Sequence, residues 1–330
     1  MENLLSILIF IAGFLVIIVS GEKFVDSACR IADGLHVPRI VIGLTIVSFA
    51  TTMPEFTVSF MATLLGNVGV AFGNAVGSFI ANAGLILALA AIFRPIRVEA
   101  EHRIEGVTML ATAIILYFLA MVGRSLNRVD GSILIAILII TLILTFHRIA
   151  KYRSQNSSEQ NVEASFSIRK PVLVFLVSAA GVAVGSRMLI YGGVRIAELL
   201  GVPEIVIGLT MIAVGTSIPE LVTAAMSIRR KVVELSLGNI FGANILNLSW
   251  ILGACSLIKS LPVDGQSVIF NLPIMMLIAV MLTVFTLAGS KITRVEGSAL
   301  IAVYIFYTAC LLYTSPSPRD LSTSRMPSSA

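Results

Sequence analysis

Charged residues are scarce in this chain of 330 residues: they make up 12% of it, whereas hydrophobic residues make up 57%. A typical soluble domain is about 25% charged, so this composition excludes an ordinary water-soluble protein. At about 20 residues per membrane-spanning helix, the chain accommodates roughly ten such helices and leaves little for a domain outside the membrane. We therefore expect its function to reside within the bilayer.

Cysteine and histidine are also scarce, with three of each. The cysteines form no C-x-x-C pair and the histidines are scattered, which excludes a disulfide framework, a zinc site or a haem site, and we expect no cofactor. The sequence contains no H-E-x-x-H or G-x-S-x-G motif, so we do not expect an enzyme. The net charge of +5 comes from cations at predicted helix ends, which indicates membrane topology and not binding of nucleic acid.

Apolar runs separated by charged or Gly/Pro-containing joints predict an all-α, polytopic membrane protein with ten transmembrane helices. The predicted helices cover residues 4–28, 37–64, 69–93, 105–123, 128–148, 171–199, 203–228, 234–258, 267–289 and 293–313. A polar linker, 150–170, separates a first half, 1–149, from a second half, 171–313. The start lacks the basic region of a cleavable signal peptide, so we expect the first helix to be retained. The Ser/Pro-rich residues 314–330 change composition abruptly, and we expect them to be a non-native tail.

The two halves repeat each other in sequence. Residues 40–55 and 205–220 align without a gap at an offset of 165 and are identical at nine of sixteen positions, ending in Thr-x-x-Pro-Glu in both copies. Each half has five predicted helices, an odd number, so the second half enters the membrane from the opposite side. The sequence therefore predicts two inverted five-helix repeats.

The basic residues predict the orientation. With the central linker in the cytoplasm, most Lys and Arg lie in cytoplasmic joints, and the joints outside carry only Arg124, Arg128, Arg195 and Lys259. Positive charge favours the cytoplasmic side. We expect a multi-pass protein of the cell membrane with its amino terminus outside and the lipid bilayer as its surroundings.

Two acids interrupt apolar helices at equivalent positions of the repeats, Glu55 and Glu220. A charge at the bilayer centre costs about 2.5 to 3.5 kcal/mol even on lenient insertion scales, and acids there are functional by default. A proline precedes each acid and removes a backbone donor, which frees a carbonyl oxygen one turn earlier. Hydroxyls lie three and four residues before the acids, on the same helical face: Thr51, Thr52, Thr216 and Ser217. Carboxylates, hydroxyls and carbonyls together suit a hard cation such as Ca²⁺.

The following helix of each repeat adds a polar stripe at intervals of four residues: Asn74, Ser78 and Asn82 in the first repeat, and Asn239, Ala243 and Asn247 in the second. Such residues share one helical face and either serve as interhelical hydrogen-bonding partners or bring amide oxygens to the glutamates. Interleaved Gly-x-x-x-Gly pairs, at 73 and 77 and at 238 and 242, predict close approach of helix backbones.

These motifs resemble the paired alpha-repeats of the cation/calcium exchanger superfamily, in particular its prokaryotic sodium/calcium exchangers. The family pattern is Gly-Thr-Ser-x-Pro-Glu followed by Gly-Asn-x-x-Gly-Ser-Asn-x-x-Asn/Asp. Residues 50–55 and 73–82 match it in the first half, and residues 215–220 and 238–247 match it in the second. The resemblance implies antiport of Na⁺ and Ca²⁺ by alternating access at one shared midplane site, with the first and sixth helices sliding across the rest.

The resemblance also implies the ligands. Glu55 and Glu220 would bind Ca²⁺ together with backbone oxygens at Thr51 and Thr216. Na⁺ would use the same acids together with Ser48, Thr52, Ser78, Asn82, Ala213, Ser217 and Asn247, the alanine through its carbonyl. Two departures bear on the ligands: Ala243 replaces a serine that helps to form one sodium site, and Asn247 stands where several exchangers carry aspartate. The number of Na⁺ ions per Ca²⁺ therefore stays open, as does an alternative in which H⁺ drives exchange of Ca²⁺ or another divalent cation.

Overall fold

The computed structural model describes residues 2–156, 168–199 and 213–314, and most of these residues are helical. The helices are α1 (Glu2–Leu35), α2 (Arg39–Leu64), α3 (Val68–Phe93), α4 (Ala100–Gly123), α5 (Arg128–Asn156), α6 (Arg169–Leu199), α7 (Ala213–Thr216), α8 (Ile218–Arg230), α9 (Val233–Ile258), α10 (Ser267–Ala288) and α11 (Arg294–Thr314). Four two-residue strands lie in the joints: β1 (Ile96–Arg97), β2 (Ser125–Leu126), β3 (Leu261–Pro262) and β4 (Lys291–Ile292).

The all-α, polytopic prediction is confirmed. Within the described ranges, nine helices are long and apolar enough to cross a membrane. The predicted helix 203–228 lies partly outside those ranges, and its described remainder forms α7 and α8, so the predicted count of ten stays a prediction. Most of the predicted linker, residues 157–167, and the predicted tail from 315 onward also lie outside the described residues.

Several helices are longer than the apolar runs that predicted them. α1 continues from residue 28 to Leu35, and α4 begins at Ala100 where the prediction was 105. Glu99 caps α4, and the backbone N–H of Glu99 donates to Nδ1 of His102 at 2.9 Å. Hydropathy marks only the part of a helix in hydrocarbon, whereas the helix itself ends where its terminal backbone groups find caps.

The small strands show that the two repeats are inverted. β1 pairs with β4 and β2 pairs with β3, both antiparallel. β1 and β2 lie at opposite ends of α4, whose 24 residues span about 36 Å. β3 is the repeat equivalent of β1, at the offset of 165, yet it pairs at the other end of α4. Equivalent joints of the two halves therefore face opposite sides.

The centre of the bundle is formed by α3 and α9, the most deeply buried of the spans, with α2 beside them. α3 and α9 each contain a π-helical turn at the equivalent place, Asn82–Leu87 and Asn247–Ile251. Such turns are often found at functional sites. The outer helix α5 exposes large apolar residues such as Ile139, Ile140 and Phe146, as expected for a surface in contact with lipid.

α1 and α6 form a closely packed pair beside this centre. A Cβ built on Gly13 would lie 2.8 Å from Cβ of Met188, and one built on Gly192 would lie 2.8 Å from Cβ of Phe10. Small residues allow the backbones of membrane helices to approach in this way. The two helices that correspond to each other in the repeats therefore contact each other directly.

Candidate cation-binding site

The site is built around the two acids that interrupt the apolar helices. Glu55 lies in α2 and Glu220 lies in the first turn of α8, and both are fully buried. Among the described residues, neither carboxylate has a basic side chain within ion-pair distance; the ion pairs there involve other acids. An uncompensated buried charge costs several kcal/mol. The charge of these two carboxylates therefore needs to be compensated by a cation from elsewhere or removed by protonation.

The backbone at the two acids differs between the repeats. α2 remains helical through Pro54. In the second repeat the helix is interrupted at Ser217, which has φ −90° and ψ 11° and separates α7 from α8, and Pro219 lies in the first turn of α8. Proline is well tolerated there because the first backbone N–H groups of a helix have no acceptor within it. Glu220 therefore projects from a helix start, whereas Glu55 projects from mid-helix.

Hydroxyl groups connect one repeat to the other across the site. The hydroxyl of Ser217 donates to Oε1 of Glu55 at 3.3 Å. This contact joins the segment just before Glu220 to the carboxylate of the first repeat. Because Ser217 lies only three residues before Glu220, the two acids lie on neighbouring segments.

Two further hydrogen bonds are repeat equivalents of each other. Thr51 Oγ1 donates to Oδ1 of Asn239 at 3.1 Å, and Thr216 Oγ1 donates to Oδ1 of Asn74 at 3.4 Å. The first bond joins α2, which carries Glu55, to the polar stripe of the second repeat, and the second joins α7, just before Glu220, to the stripe of the first. Part of the predicted stripe therefore acts as interhelical hydrogen-bonding partners, the structural alternative that the sequence left open.

Several buried oxygens of the predicted site have no hydrogen-bond partner among the described residues. They are Thr52 Oγ1, Glu55 Oε2, Ser78 Oγ, Asn82 Oδ1, Glu220 Oε1, Glu220 Oε2 and Asn247 Oδ1. Buried polar atoms are normally satisfied, so each such atom requires an explanation. Ca²⁺ takes six to eight oxygen ligands, and both carboxylate and neutral oxygens serve it. The unpartnered oxygens are of the kinds that such a cation binds.

Two predicted ligands stand apart from this group. The hydroxyl of Ser48 donates to the carbonyl oxygens of Leu44 at 2.6 Å and Thr45 at 3.0 Å, within its own helix. Ala213 is the first residue of α7, but its side chain is outside the described part of the structure. The predicted roles of both residues stay predictions.

Asn244 is a neighbour of the site to which the sequence analysis assigned no role. It is fully buried, and its Oδ1 accepts a hydrogen bond of 3.3 Å from Nδ2 of Asn82. The available signal was the repeat alignment, because the equivalent residue of the first half is Phe79. The two repeats therefore differ at this position, which carries asparagine in the second motif and phenylalanine in the first.

The donors of the site are hard oxygens. Within the described residues, no group of three or more His, Cys, Asp and Glu side chains comes together. Two carboxylates with hydroxyl and amide oxygens suit Ca²⁺ and Na⁺ better than thiophilic or imidazole-binding metals. The chemistry of the site thus agrees with the motif pattern.

Comparison with known proteins decides the family. The family model described as "Sodium/calcium exchanger protein" matches residues 5–147 and 170–313, that is, each repeat in turn. The chain belongs to the sodium/calcium exchanger family. The resemblance in the sequence is thereby confirmed, as is the expectation of a multi-pass membrane protein of a transporter family and not an enzyme family.

Relatives of this exchanger-family chain match it over nearly its whole length. The sodium/calcium exchanger MaX1 of Methanosarcina acetivorans is 30% identical, with 93% of this chain and 99% of that protein covered. The inner membrane protein YrbG of Escherichia coli is 32% identical, with 95% and 98% covered. A solved structure of the sodium-calcium exchanger NCX_Mj soaked with 2.5 mM Na⁺ and 0.1 mM Ca²⁺ has a TM-score of 0.81 and is 27% identical, with 95% and 99% covered.

Proposed function

We propose that this protein exchanges Na⁺ for Ca²⁺ across the cell membrane by alternating access at one site between the repeats. The observation that carries the proposal is the pair of fully buried carboxylates, Glu55 and Glu220, for which the described residues provide no basic partner. The relatives named as sodium/calcium exchangers support the choice of ions.

The charge of the site explains the coupling. Two ionised carboxylates carry −2, which one Ca²⁺ or two Na⁺ neutralise, whereas three Na⁺ leave +1. A doubly charged site without ions pays a heavy penalty when it moves through a low-dielectric barrier. Exchange is therefore favoured over leak, and each net charge moved per cycle is worth about 2.3 kcal/mol per 100 mV.

The proposed ligands follow the geometry and the resemblance together. Ca²⁺ is bound by the two acids and by backbone oxygens at Thr51 and Thr216. Na⁺ is bound by the acids together with Ser48, Thr52, Ser78, Asn82, Ala213, Ser217 and Asn247. The unpartnered oxygens at most of these positions support the assignment. Ala243, the repeat equivalent of Ser78, has no hydroxyl, so the second repeat contributes one side-chain oxygen fewer to the proposed Na⁺ ligands.

The closely packed pair of α1 and α6 provides the moving part in this proposal. We propose that it slides across the other helices and exposes the site to one side at a time, as the resemblance implies. The orientation has separate support. Arg97 and Lys291 lie in β1 and β4, and Arg94 and Arg294 flank them, whereas Arg124, Arg128 and Lys259 flank the other sheet. The linker leaves α5 on the side of β1 and β4, and more positive charge favours a cytoplasmic location.

Flux in proteoliposomes tests the proposal. Purified protein is reconstituted in liposomes loaded with Na⁺, and uptake of ⁴⁵Ca²⁺ is measured on dilution into medium without Na⁺. We expect uptake that depends on the Na⁺ gradient and is abolished when Na⁺ is equal on both sides. In a parallel experiment, choline replaces Na⁺ and a pH gradient is imposed across the liposome membrane to test for coupling to H⁺. Uptake that follows the pH gradient and ignores Na⁺ would replace Na⁺ coupling with exchange of H⁺ for Ca²⁺.

A further inference from the structure

A chain of three buried side chains connects α4 to the site through α9 and α3. Asn82 Nδ2 donates to Asn244 Oδ1 at 3.3 Å, and Asn244 Nδ2 donates to Met109 Sδ at 3.7 Å. Asn82 and Asn244 are fully buried, as is Met109. The three residues lie on α3, α9 and α4, so the contact requires three helices to meet.

The thioether determines which way both amides point. A methionine sulfur has no hydrogen to donate, so only the nitrogen of the Asn244 amide gains a bond by facing it. The oxygen of Asn244 then faces Asn82, and Asn82 must present its own nitrogen to that oxygen. The remaining atom, Asn82 Oδ1, is buried without a partner. The oxygen of Asn82 is thereby turned away from Asn244 and stays free to bind a cation.

The second repeat has no equivalent arrangement. Asn247 corresponds to Asn82, and both its Nδ2 and its Oδ1 are buried without a partner. Phe79, fully buried, occupies the position that corresponds to Asn244. Its ring offers no carbonyl to receive an amide N–H. One amide of the pair is therefore oriented by a neighbouring side chain, whereas the other has no such partner among the described residues.

We infer that Asn244 is a positioning residue that holds the amide oxygen of Asn82 toward the transported cation. The inference rests on the proposed function, because it needs Asn82 to be a ligand. Partners that orient a metal ligand typically contribute 10-fold to 100-fold to metal affinity. Asn82 and Asn247 are then unequal ligands, the first fixed before the cation arrives and the second oriented by the cation itself.

Equilibrium binding of ⁴⁵Ca²⁺ to the purified full chain tests this role without transport. Asn244→Leu has a similar shape and lacks the acceptor, and we expect it to bind Ca²⁺ about 10-fold more weakly. Asn244→Asp keeps the acceptor oxygen, and we expect it to restore most of the affinity. The matched control is Asn271→Leu, because Asn271 bonds only to Ser267 of its own helix at 3.1 Å and is expected to bind Ca²⁺ as the unmodified chain does.

A double-mutant cycle separates positioning from a merely structural role. If Asn244 acts through Asn82, then adding Asn244→Leu to Asn82→Ala is expected to cause no further loss of affinity. Losses that multiply in the double variant would overturn the inference, as would a wild-type affinity in Asn244→Leu or an equal loss in Asn244→Asp. In each of these cases the proposed function would stand. An unmodified chain that binds no Ca²⁺ would overturn the proposed function and this role together.

Discussion

Glutamine in place of Glu55 or Glu220 is expected to abolish Ca²⁺ exchange. Each variant keeps the shape of the side chain and removes one negative charge, so the site carries −1 and a bound Ca²⁺ leaves +1 in a buried place. Loss of one partner from a buried charge pair costs about 3 to 5 kcal/mol. At 1.4 kcal/mol per tenfold change, this corresponds to roughly 10² to 4 × 10³ in Ca²⁺ affinity.

The measurement is ⁴⁵Ca²⁺ uptake into proteoliposomes driven by a Na⁺ gradient, together with equilibrium binding. Glu105→Gln is the matched control: Glu105 is also a buried carboxylate of a membrane span, but it accepts a 2.7 Å bond from Arg148 and lies outside the site. Glutamine retains an oxygen for that arginine, so we expect exchange to continue. Full uptake in either Glu55→Gln or Glu220→Gln, with intact protein recovered, would refute the assignment of the two acids.

The burial of the acids was predictable because the sequence places them in long apolar runs without nearby cations. The fold class could be predicted from the apolar runs, which are a local pattern. The inverted arrangement could be predicted from the sequence repeat at an offset of 165 and the odd number of helices in each half. β1 pairs with β4, whereas its repeat equivalent β3 pairs with β2 at the other end of α4, which confirms that arrangement. The ends of the helices were harder to predict from the sequence, since a cap such as Glu99 with His102 lies outside the apolar run.

The partners of the polar stripe were not predictable from spacing. A period of four places Asn74, Ser78 and Asn82 on one face, yet the structure gives them different surroundings. Asn74 accepts a bond from Thr216, Ser78 Oγ has no partner among the described residues, and Asn82 donates to Asn244. Which role a polar residue takes depends on the helix that crosses it, and a single sequence does not specify that crossing.

The glycine pairs differ between the repeats in a similar way. The predicted close approach at Gly238 and Gly242 is confirmed: a Cβ on Gly238 would lie 3.0 Å from Ile40 Cγ1, and one on Gly242 would lie 2.7 Å from Ser48 Cβ. At Gly73 and Gly77, no described atom lies within 4 Å of such a Cβ. The repeat equivalents of Ile40 and Leu44, residues 205 and 209, lie outside the described residues, so the prediction for the first repeat stays a prediction.

Gly242→Ala is expected to separate α2 from α9 and to disable the site. The added methyl group would meet Ser48, two turns before Glu55, at a distance that real Cβ contacts do not reach. Relief requires a backbone shift, since the nearest obstructing atom is the backbone oxygen of Leu44 and Ser48 Cβ is fixed to its own backbone. Overpacking of this kind costs about 1 to 3 kcal/mol. The same shift would lengthen the bond from Thr51 to Asn239, so Ca²⁺ binding is expected to weaken along with stability.

Thermal unfolding and ⁴⁵Ca²⁺ binding of the purified variant check this prediction. The control is Gly69→Ala in α3, where no described atom lies within 4 Å of the new Cβ. Alanine is a better helix former than glycine by about 0.5 to 1 kcal/mol, so this variant is expected to be as stable as the unmodified chain or slightly more stable. The two substitutions are expected to change stability in opposite directions. This difference distinguishes the effect of the contact between α2 and α9 from the effect of helix propensity. Equal stability and equal Ca²⁺ binding in both variants would mean that the glycine at 242 is not needed for the approach of the two helices.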